Sequence, residues 1–240
     1  MTAPAAPTTG IDRLSAPATL PGMPPRRPPL ARPIDREQSR RAIITAATKL
    51  FAERGLENVT FGQIAKAAKV SRPLVYFHFS DRRTLFLECV QVATLELRAR
   101  FAREIDPAGS GLDQLETMGR VYFGLHDDAP ALFQVLAMYE AQPPAGGSAR
   151  ELFERIEALH HELDDLKTGL VRRGIKDGSI RRGVGDPHVV GTCLWSFCHG
   201  LAQLLAIKGT HLSACFGLER DQAIDNGFAL LRHALAGKRG

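Results

Sequence analysis

The sequence predicts an all-α protein of about nine helices, arranged as a small N-terminal unit followed by a larger helical domain. Beyond residue 34, apolar residues recur every three or four positions almost to the end of the chain, which is the period of a buried helix face. No segment shows the alternation typical of a strand. Clusters of glycine and proline separate the periodic segments, so we expect short turns between the helices.

Residues 1–34 differ from the rest of the chain because they are rich in proline, alanine and threonine, with a proline- and arginine-rich run at 24–33. Such a composition cannot bury a hydrophobic core, and it favours disorder or local polyproline II structure. We therefore predict a disordered basic tail over residues 1–34.

The first helix is predicted from one apolar stripe. Ile43, Ala47, Leu50 and Phe51 lie at intervals of three or four residues, or directly beside one another on that face. Gly55 follows the last apolar residue and is a typical helix stop.

Two short helices are predicted to follow. The second begins at Thr60, because Thr60 and Gln63 have the spacing of a capping box. The third begins after Ser71, a good N-cap residue, and carries Pro73 in its first turn, where no backbone N–H is needed. It is about two turns long and ends near Phe79.

The spacing within this pair is that of a helix-turn-helix motif. The small Ala65 allows the two helices to approach, Lys69 occupies the turn, and Val75 fills the space between the helices. After this motif we predict six further helices, at about 81–105, 111–125, 130–140, 149–173, 187–208 and 218–235. Residues 143–147 are predicted to form a loop.

Positive charge is concentrated in the N-terminal third of the chain. Up to residue 86 there are fourteen Lys and Arg against six Asp and Glu, whereas the remainder has seventeen against twenty. A basic unit on a slightly acidic body is typical of a nucleic-acid-binding protein, although a merely solvated basic face gives the same count. The arginines of the tail either contact phosphates or belong to a passive extension.

Other classes of protein are disfavoured. No apolar run reaches the roughly 18 residues that span a bilayer and no secretory segment is evident, so we expect a cytoplasmic protein without membrane contact. Cys89, Cys193, Cys198 and Cys215 lack metal-site spacing, so we expect no metal, cofactor or disulfide. They are predicted to be small core residues, with a redox-sensing thiol as the alternative.

A family resemblance is carried by Thr60, Ile64, Ala65, Val70, Ser71, Tyr76, His78, Phe79 and Leu85. With the helix that ends at Gly55, this segment of about fifty residues resembles the DNA-binding head of TetR regulators. The resemblance implies a three-helix helix-turn-helix DNA-binding domain over residues 35–84. It also implies a helical ligand-binding and dimerisation domain over residues 85–240.

The resemblance implies base contacts at Arg72, Pro73, Leu74 and Phe77, and phosphate contacts at Thr60, Tyr76, His78, Arg82 and Lys69. The third helix enters the major groove in this motif, where Arg72 can donate two hydrogen bonds to guanine. Two alternatives stay open, namely that Leu74 packs inward and that His78 is structural. The family commonly has glycine where Lys69 stands, so Lys69 bears a steric cost if the turn requires a positive φ.

In the body, large or polar side chains on core helices are candidates for a ligand pocket, although each is also an ordinary core residue. They are Met118, Tyr122, Phe123, His126, Phe133, Met138, Tyr139, Trp195, Phe197 and His199. The last two helices resemble the antiparallel pair that forms the dimer interface in this family, although a monomeric core explains the same apolar residues. The predicted interface residues are Gly191, Gly200, Leu201, Leu204, Leu205, Phe228, Leu231 and Leu235.

The predicted function is a bacterial repressor that binds a palindromic operator in double-stranded DNA as a homodimer and is released by a small molecule. One alternative keeps DNA binding but makes the body a protein-binding or purely structural module. Another is a helical metal-dependent enzyme using His160, His161, Asp164 and Asp165, or His126, Asp127 and Asp128. Such charged helical runs are usually solvated faces, and no nucleophile with its base accompanies them, so no catalytic residue is predicted.

Overall fold

The computed structural model describes residues 33–141 and 149–237, and this part of the chain forms nine α-helices and no strand. The helices are α1 (Pro33–Arg54), α2 (Phe61–Ala68), α3 (Arg72–His78), α4 (Arg82–Glu104), α5 (Gly111–Asp128), α6 (Pro130–Glu140), α7 (Arg150–Asp177), α8 (Pro187–Phe216) and α9 (Arg220–Leu235). The predicted all-α class and helix number are confirmed. Of the predicted tail and loop, residues 1–32 and 143–147 lie outside the described residues.

Several helix ends differ from the prediction, among them that of α5, which runs past residue 125 to Asp128. Helix α1 begins at Pro33, two residues inside the predicted tail, because a proline is well tolerated in the first turn of a helix. Helices α7 and α8 run past residues 173 and 208 to Gly178 and Gly217, which both have positive φ. The lysine at 208 does not stop a helix, whereas a glycine in the left-handed conformation does.

The helices form a small head and a larger body that share one hydrophobic core. In the head, α1 packs on α2 and α3, and it also contacts α4 and α6 of the body. In the body, α7 packs on α4, α5 and α8, while α9 covers α5 and α8. The buried apolar residues are connected from Ile43 in α1 to Leu235 in α9.

The N-terminus of α5 lies unusually close to α7. A Cβ atom at Gly111 would overlap with backbone atoms of Gly174 and lie 2.7 Å from the carbonyl oxygen of Leu170. The backbone N–H of Gly111 donates to Asp177 at 2.8 Å. Helix α5 can therefore start at this position only with a residue that has no side chain.

Helix α8 is the one helix of the described residues that is long and apolar enough to cross a membrane by length and composition. The expectation that no segment reaches this threshold was therefore wrong. Only 22% of the apolar window is buried within the protomer. Much of the apolar surface of α8 is thus available to a partner.

Candidate nucleic-acid interface and ligand cavity

The start of α2 is held by the predicted capping box. The Thr60 hydroxyl accepts from the Gln63 backbone N–H at 3.3 Å, and the Gln63 side chain accepts from the Thr60 backbone N–H at 2.8 Å. This arrangement fixes the direction in which α2 leaves the preceding loop. It also occupies the Thr60 backbone N–H, and the phosphate contact predicted at Thr60 stays a prediction.

The turn between α2 and α3 requires a left-handed residue. Lys69 has φ 56° and ψ 39°, and it is the one non-glycine residue of the described ranges with positive φ. The Val70 backbone N–H then donates to the carbonyl oxygen of Ala65 at 3.0 Å, which closes the end of α2. The expected steric cost at Lys69 is therefore present, and the lysine side chain is exposed to solvent.

We expect Lys69→Gly to raise the free energy of unfolding by about 1 kcal/mol, because glycine adopts positive φ without a Cβ clash. Denaturant unfolding of the purified protein measures this change. Lys69→Ala is the matched control, since it removes the same charge but keeps the steric cost. Equal stability of the two variants would show that the turn is not strained.

Helix α3 exposes the residues predicted to contact bases. Arg72 and Pro73 are exposed, Phe77 is 56% exposed, and Leu74 is half-buried, whereas Val75 is fully buried against α2. The alternative that Leu74 packs inward, away from DNA, therefore holds only in part. Exposed apolar side chains on so short a helix are suited to contact with a thymine methyl group or another apolar surface.

Two arginine–aromatic pairs arrange this surface. The Arg72 guanidinium lies 5.6 Å from the ring centroid of Tyr76 and donates to the Tyr76 hydroxyl at 3.3 Å. The Arg36 guanidinium of α1 lies 4.8 Å from the ring centroid of Phe77. Cationic groups are thus held above the exposed rings by cation–π attraction.

His78 is engaged within the head. Its Nε2 atom lies 2.9 Å from the Ser39 hydroxyl of α1. Partial burial and the neighbouring charges of Arg40 and Arg36 lower the pKa of His78, so its ring is neutral at neutral pH. These contacts favour the structural alternative for His78, and its predicted phosphate contact stays a prediction.

Arg82 joins the start of α4 to the loop between α1 and α2. Its Nη1 atom donates to the carbonyl oxygens of Leu56, Glu57 and Val59 at 3.3, 2.7 and 3.2 Å. Its Nη2 atom lies 3.0 Å from the Glu57 carboxylate. These contacts show that Arg82 positions the head, and its predicted phosphate contact stays a prediction.

The body contains two neighbouring cavities. The larger has a volume of about 370 Å³ and is bounded by α4, α5, α6, α7 and α8. The smaller, of about 50 Å³, is mainly apolar and lies between α5, α7, α8 and α9. Four residues line both cavities, namely Met118, Tyr122, Lys167 and Trp195.

Three of the predicted pocket residues, Met118, Tyr122 and Trp195, therefore lie at the cavities. The remaining seven do not line either one, and they are Phe123, His126, Phe133, Met138, Tyr139, Phe197 and His199. Some of them support the lining from behind: Phe133 packs on the Tyr122 ring, and His199 shares a hydrogen bond of 2.8 Å with the Tyr122 hydroxyl. The periodicity of the sequence predicted that these side chains are in the core, but it does not distinguish residues that line a cavity from residues that pack behind the lining.

The polar wall of the larger cavity was missed. His160, His161, Asp164 and Lys167 of α7 line it, together with His188 at the start of α8 and Glu140 at the end of α6. His160 and Asp164 are half-buried, so for them the prediction of a solvated face was wrong, whereas His161 is exposed. The sequence did contain one signal of this polar wall. Lys167 lies on the apolar stripe of Leu163 and Leu170, and it is therefore a lysine at a buried position.

An ion-paired cluster organises this wall. The Lys167 ammonium lies 2.6 Å from one Asp164 oxygen, and the His188 Nδ1 atom lies 3.0 Å from the other. Burial alone would raise the pKa of Asp164, but the hydrogen bond from Lys167 and the charges of Lys167 and His188 outweigh it and lower the pKa. Asp164 is therefore ionised, with both oxygens already paired.

Four predicted interface residues belong to the core of the protomer instead. Gly191, Leu205, Phe228 and Leu235 are buried, and for them the prediction was wrong. Gly191, for example, faces the Lys167 side chain and not the surface. Gly200 and Leu204 are exposed, whereas Leu201 and Leu231 are half-buried.

Six exposed residues of α8, spaced three or four positions apart, form one stripe, which we call the α8 face. Its members are Val189, Cys193, Phe197, Gly200, Leu204 and Ile207. Ile207 is 70% exposed, as is unusual for a large apolar side chain inside a helix. Leu230 of α9 is similarly exposed.

The cysteines divide into two pairs. Cys89 and Cys198 are buried, and burial raises the pKa of each thiol to about 12, so they are core residues as predicted. Cys193 and Cys215 are exposed, which contradicts the prediction for them. Within the described ranges no group of three or more His, Cys, Asp or Glu side chains is arranged to hold a metal ion.

The comparisons with known proteins agree with this architecture. The family model described as bacterial regulatory proteins, tetR family, matches residues 43–89. Over 153 residues the chain is 30% identical to the HTH-type transcriptional repressor KstR2 of Rhodococcus jostii (strain RHA1), an alignment that covers 63% of this chain and 73% of that protein.

Solved structures show the same fold. A putative transcriptional regulator from Saccharomonospora viridis in complex with choline has a TM-score of 0.68 at 19% identity, covering 84% of this chain and 100% of that one. AibR in complex with isovaleryl coenzyme A and operator DNA has a TM-score of 0.64 at 16% identity, covering 80% of this chain and 97% of that one. At these identities the structures establish the fold alone.

Proposed function

Since the chain belongs to the tetR family of bacterial regulatory proteins and is a DNA-binding transcriptional regulator, we propose that it is a repressor released from a palindromic operator by a small molecule. The operator is bound by a homodimer, with one α3 in each of two successive major grooves. The observation that carries this proposal is the exposed surface of α3, where Arg72, Pro73 and Phe77 stand beside a buried Val75.

The base-reading role of Arg72 has a direct test. We expect Arg72→Ala to weaken binding to the operator by about 1–3 kcal/mol and to relax sequence preference at one position of each half-site, because a bidentate contact to guanine is lost. Tyr76→Phe, which removes one proposed phosphate contact, weakens binding to all sequences alike. Fluorescence anisotropy with DNA from the promoter region of the protein's own gene, at two salt concentrations, measures both effects.

Arg103→Ala is the matched control for lost charge, since Arg103 is an exposed arginine at the body end of α4. It should leave affinity and sequence preference unchanged. If Arg72→Ala behaves like Arg103→Ala, α3 does not read bases through this residue and the proposed interface is wrong.

We also propose that the α8 face is the dimer interface, with Leu230 of α9 at its edge. Only 22% of the apolar window of α8 is buried in the protomer, and a second copy of the α8 face covers its exposed stripe by two-fold symmetry. This assignment replaces the buried residues of the earlier prediction by Val189, Phe197 and Ile207. It also accounts for an apolar helix in a protein that we propose to be cytoplasmic.

The cavities support a small-molecule effector over a purely structural body. Helix α4 lines the larger cavity through Thr94, Leu97 and Phe101, and its first turn is tied to the head by Arg82. A ligand that prefers one position of α4 therefore changes the spacing of the two heads. No enzymatic activity is part of this proposal, because the acidic and histidine residues of the cavity wall serve binding.

A further inference from the structure

We propose that the effector is an amphipathic organic anion, whose carboxylate contacts Lys167 and whose apolar body lies against Tyr122 and Trp195. The inference rests on the regulatory function proposed above and specifies the chemistry of its ligand. It is carried by the distribution of apolar, donor and acceptor groups around the larger cavity.

The cavity has two chemically different sides. Apolar side chains from α4, α5, α6 and α8 form one side, and they include Leu97, Phe101, Leu136 and Trp195. The other side is polar and comes mainly from α7, with His160, Asp164 and Lys167, and from His188. A ligand that satisfies both sides has an apolar body and one polar end.

The polar side of the cavity offers a ligand more hydrogen-bond donors than unoccupied acceptors. Asp164 has one oxygen on Lys167 and the other on His188, so it offers little to a ligand. An ammonium group has three N–H donors, and among the described residues Lys167 directs one of them to Asp164. Each neutral imidazole of this wall carries one N–H donor and one acceptor nitrogen, so the excess of donors comes from Lys167.

The remaining N–H donors of Lys167 favour an anionic ligand head. The Lys167 side chain is 11% exposed and Asp164 balances its charge, so a ligand head is selected by whether it can accept from the ammonium, which a cationic head cannot do. An anionic head accepts charge-assisted hydrogen bonds from Lys167. Glu140, the remaining carboxylate of the lining, is exposed at the rim, where water screens its charge.

The size of the cavity limits the ligand. A volume of about 370 Å³ lies at the lower end of the range for small-molecule sites, roughly 300–1,000 Å³. This space suits a carboxylic acid with one or two rings or a short chain. The neighbouring cavity of about 50 Å³, which shares Met118 and Trp195, has room for an extra alkyl group.

The chain offers a specific optical probe, since Trp195 is its one tryptophan and lines both cavities. Titrations that follow Trp195 fluorescence use two sets of probes with constant apolar bodies and different heads. The first set is cyclohexylbutanoate, cyclohexylbutanamide and cyclohexylbutylamine, and the second is adamantaneacetate, adamantaneacetamide and adamantylethylamine. We expect at least one acid to bind about tenfold or more tightly than its own amide and amine.

Lys167→Met tests the named residue, because methionine keeps the apolar stem that packs on Gly191 and removes the ammonium. In this variant the acid loses its advantage over the amide, while binding of the amide is unchanged. Lys176→Met, an exposed lysine in the last turn of α7, is the matched control and keeps the wild-type preference. The wild-type comparison of heads remains decisive if Lys167→Met fails to fold.

Three results would overturn the inference. Neither acid quenches Trp195 saturably, an amide or amine binds as tightly as its acid, or the preference for the acid survives in Lys167→Met. The proposed function is measured separately, from the anisotropy of labelled promoter DNA with the same protein preparation before any probe is added. Absence of DNA binding contradicts the function and leaves the acid preference intact. DNA binding by a protein that prefers the amine contradicts only the inference.

Discussion

Ile207→Glu is expected to convert the dimer into a monomer and to weaken operator binding about 100-fold or more. Ile207 is 70% exposed in the protomer and lies on the α8 face, so the proposed interface places it against the same helix of the second copy. A carboxylate there is desolvated beside an identical charge across the two-fold axis. Loss of the dimer removes the gain in affinity that two linked heads provide, about 10²–10⁴.

Sedimentation equilibrium and anisotropy with operator DNA measure the two effects. Ala206→Glu is the matched control, because Ala206 is the preceding residue, is exposed, and lies off the α8 face. It should remain dimeric and bind DNA normally. A dimeric Ile207→Glu variant would move the interface away from α8.

Gly111→Ala is expected to lower the free energy of unfolding by about 3 kcal/mol or more, at the upper end of the cost of overpacking. The added methyl group would overlap with the backbone of Gly174 and approach the Leu170 carbonyl oxygen. Backbone atoms in the last two turns of α7 cannot rotate away as a side chain can. Helix α5 would have to move from α7, and the hydrogen bond from the Gly111 N–H to Asp177 would be lost with it.

Thermal unfolding measures this loss, since a change of 1 kcal/mol in the free energy of unfolding shifts the Tm by about 2–4 °C in a chain of this size. Gly124→Ala in the same helix provides the contrast, because nothing lies within 4 Å of a Cβ at Gly124. That variant should gain up to about 1 kcal/mol from the higher helix propensity of alanine. Similar losses in both variants would mean that propensity, and not the close approach of α5 and α7, determines the result.

The head was predictable from the sequence because its determinants are local. The capping box of Thr60 and Gln63, the N-terminal proline of α3 and the buried Val75 lie within sixteen residues of one another. Even the strain in the turn was predictable, since the only question was whether Lys69 takes a positive φ. The structural role of Arg82 was not predictable, because its acceptors are backbone oxygens more than twenty residues away in the sequence. No pattern of side chains reveals such contacts.

The cavity and the dimer interface depend on long-range packing, and there the sequence was insufficient. Five helices must be placed before any residue is known to line the larger cavity. Helix α8 is apolar on more than one face, so periodicity alone does not separate the buried Leu205 from the exposed Leu204. The placement of the neighbouring helices, α5, α7 and α9, decides which leucine is covered.

The shared hydrophobic core has a consequence for energetics. Phe51 of the head packs edge-on against Phe86 of α4, and Arg40 of α1 is paired with Glu88 at 2.6 Å, so no solvated seam separates head from body. The two regions should therefore unfold in one cooperative transition. An effector that binds only the body then stabilises the DNA-reading helices against unfolding by the same amount, RT ln(1 + [L]/Kd), even while it lowers their affinity for the operator.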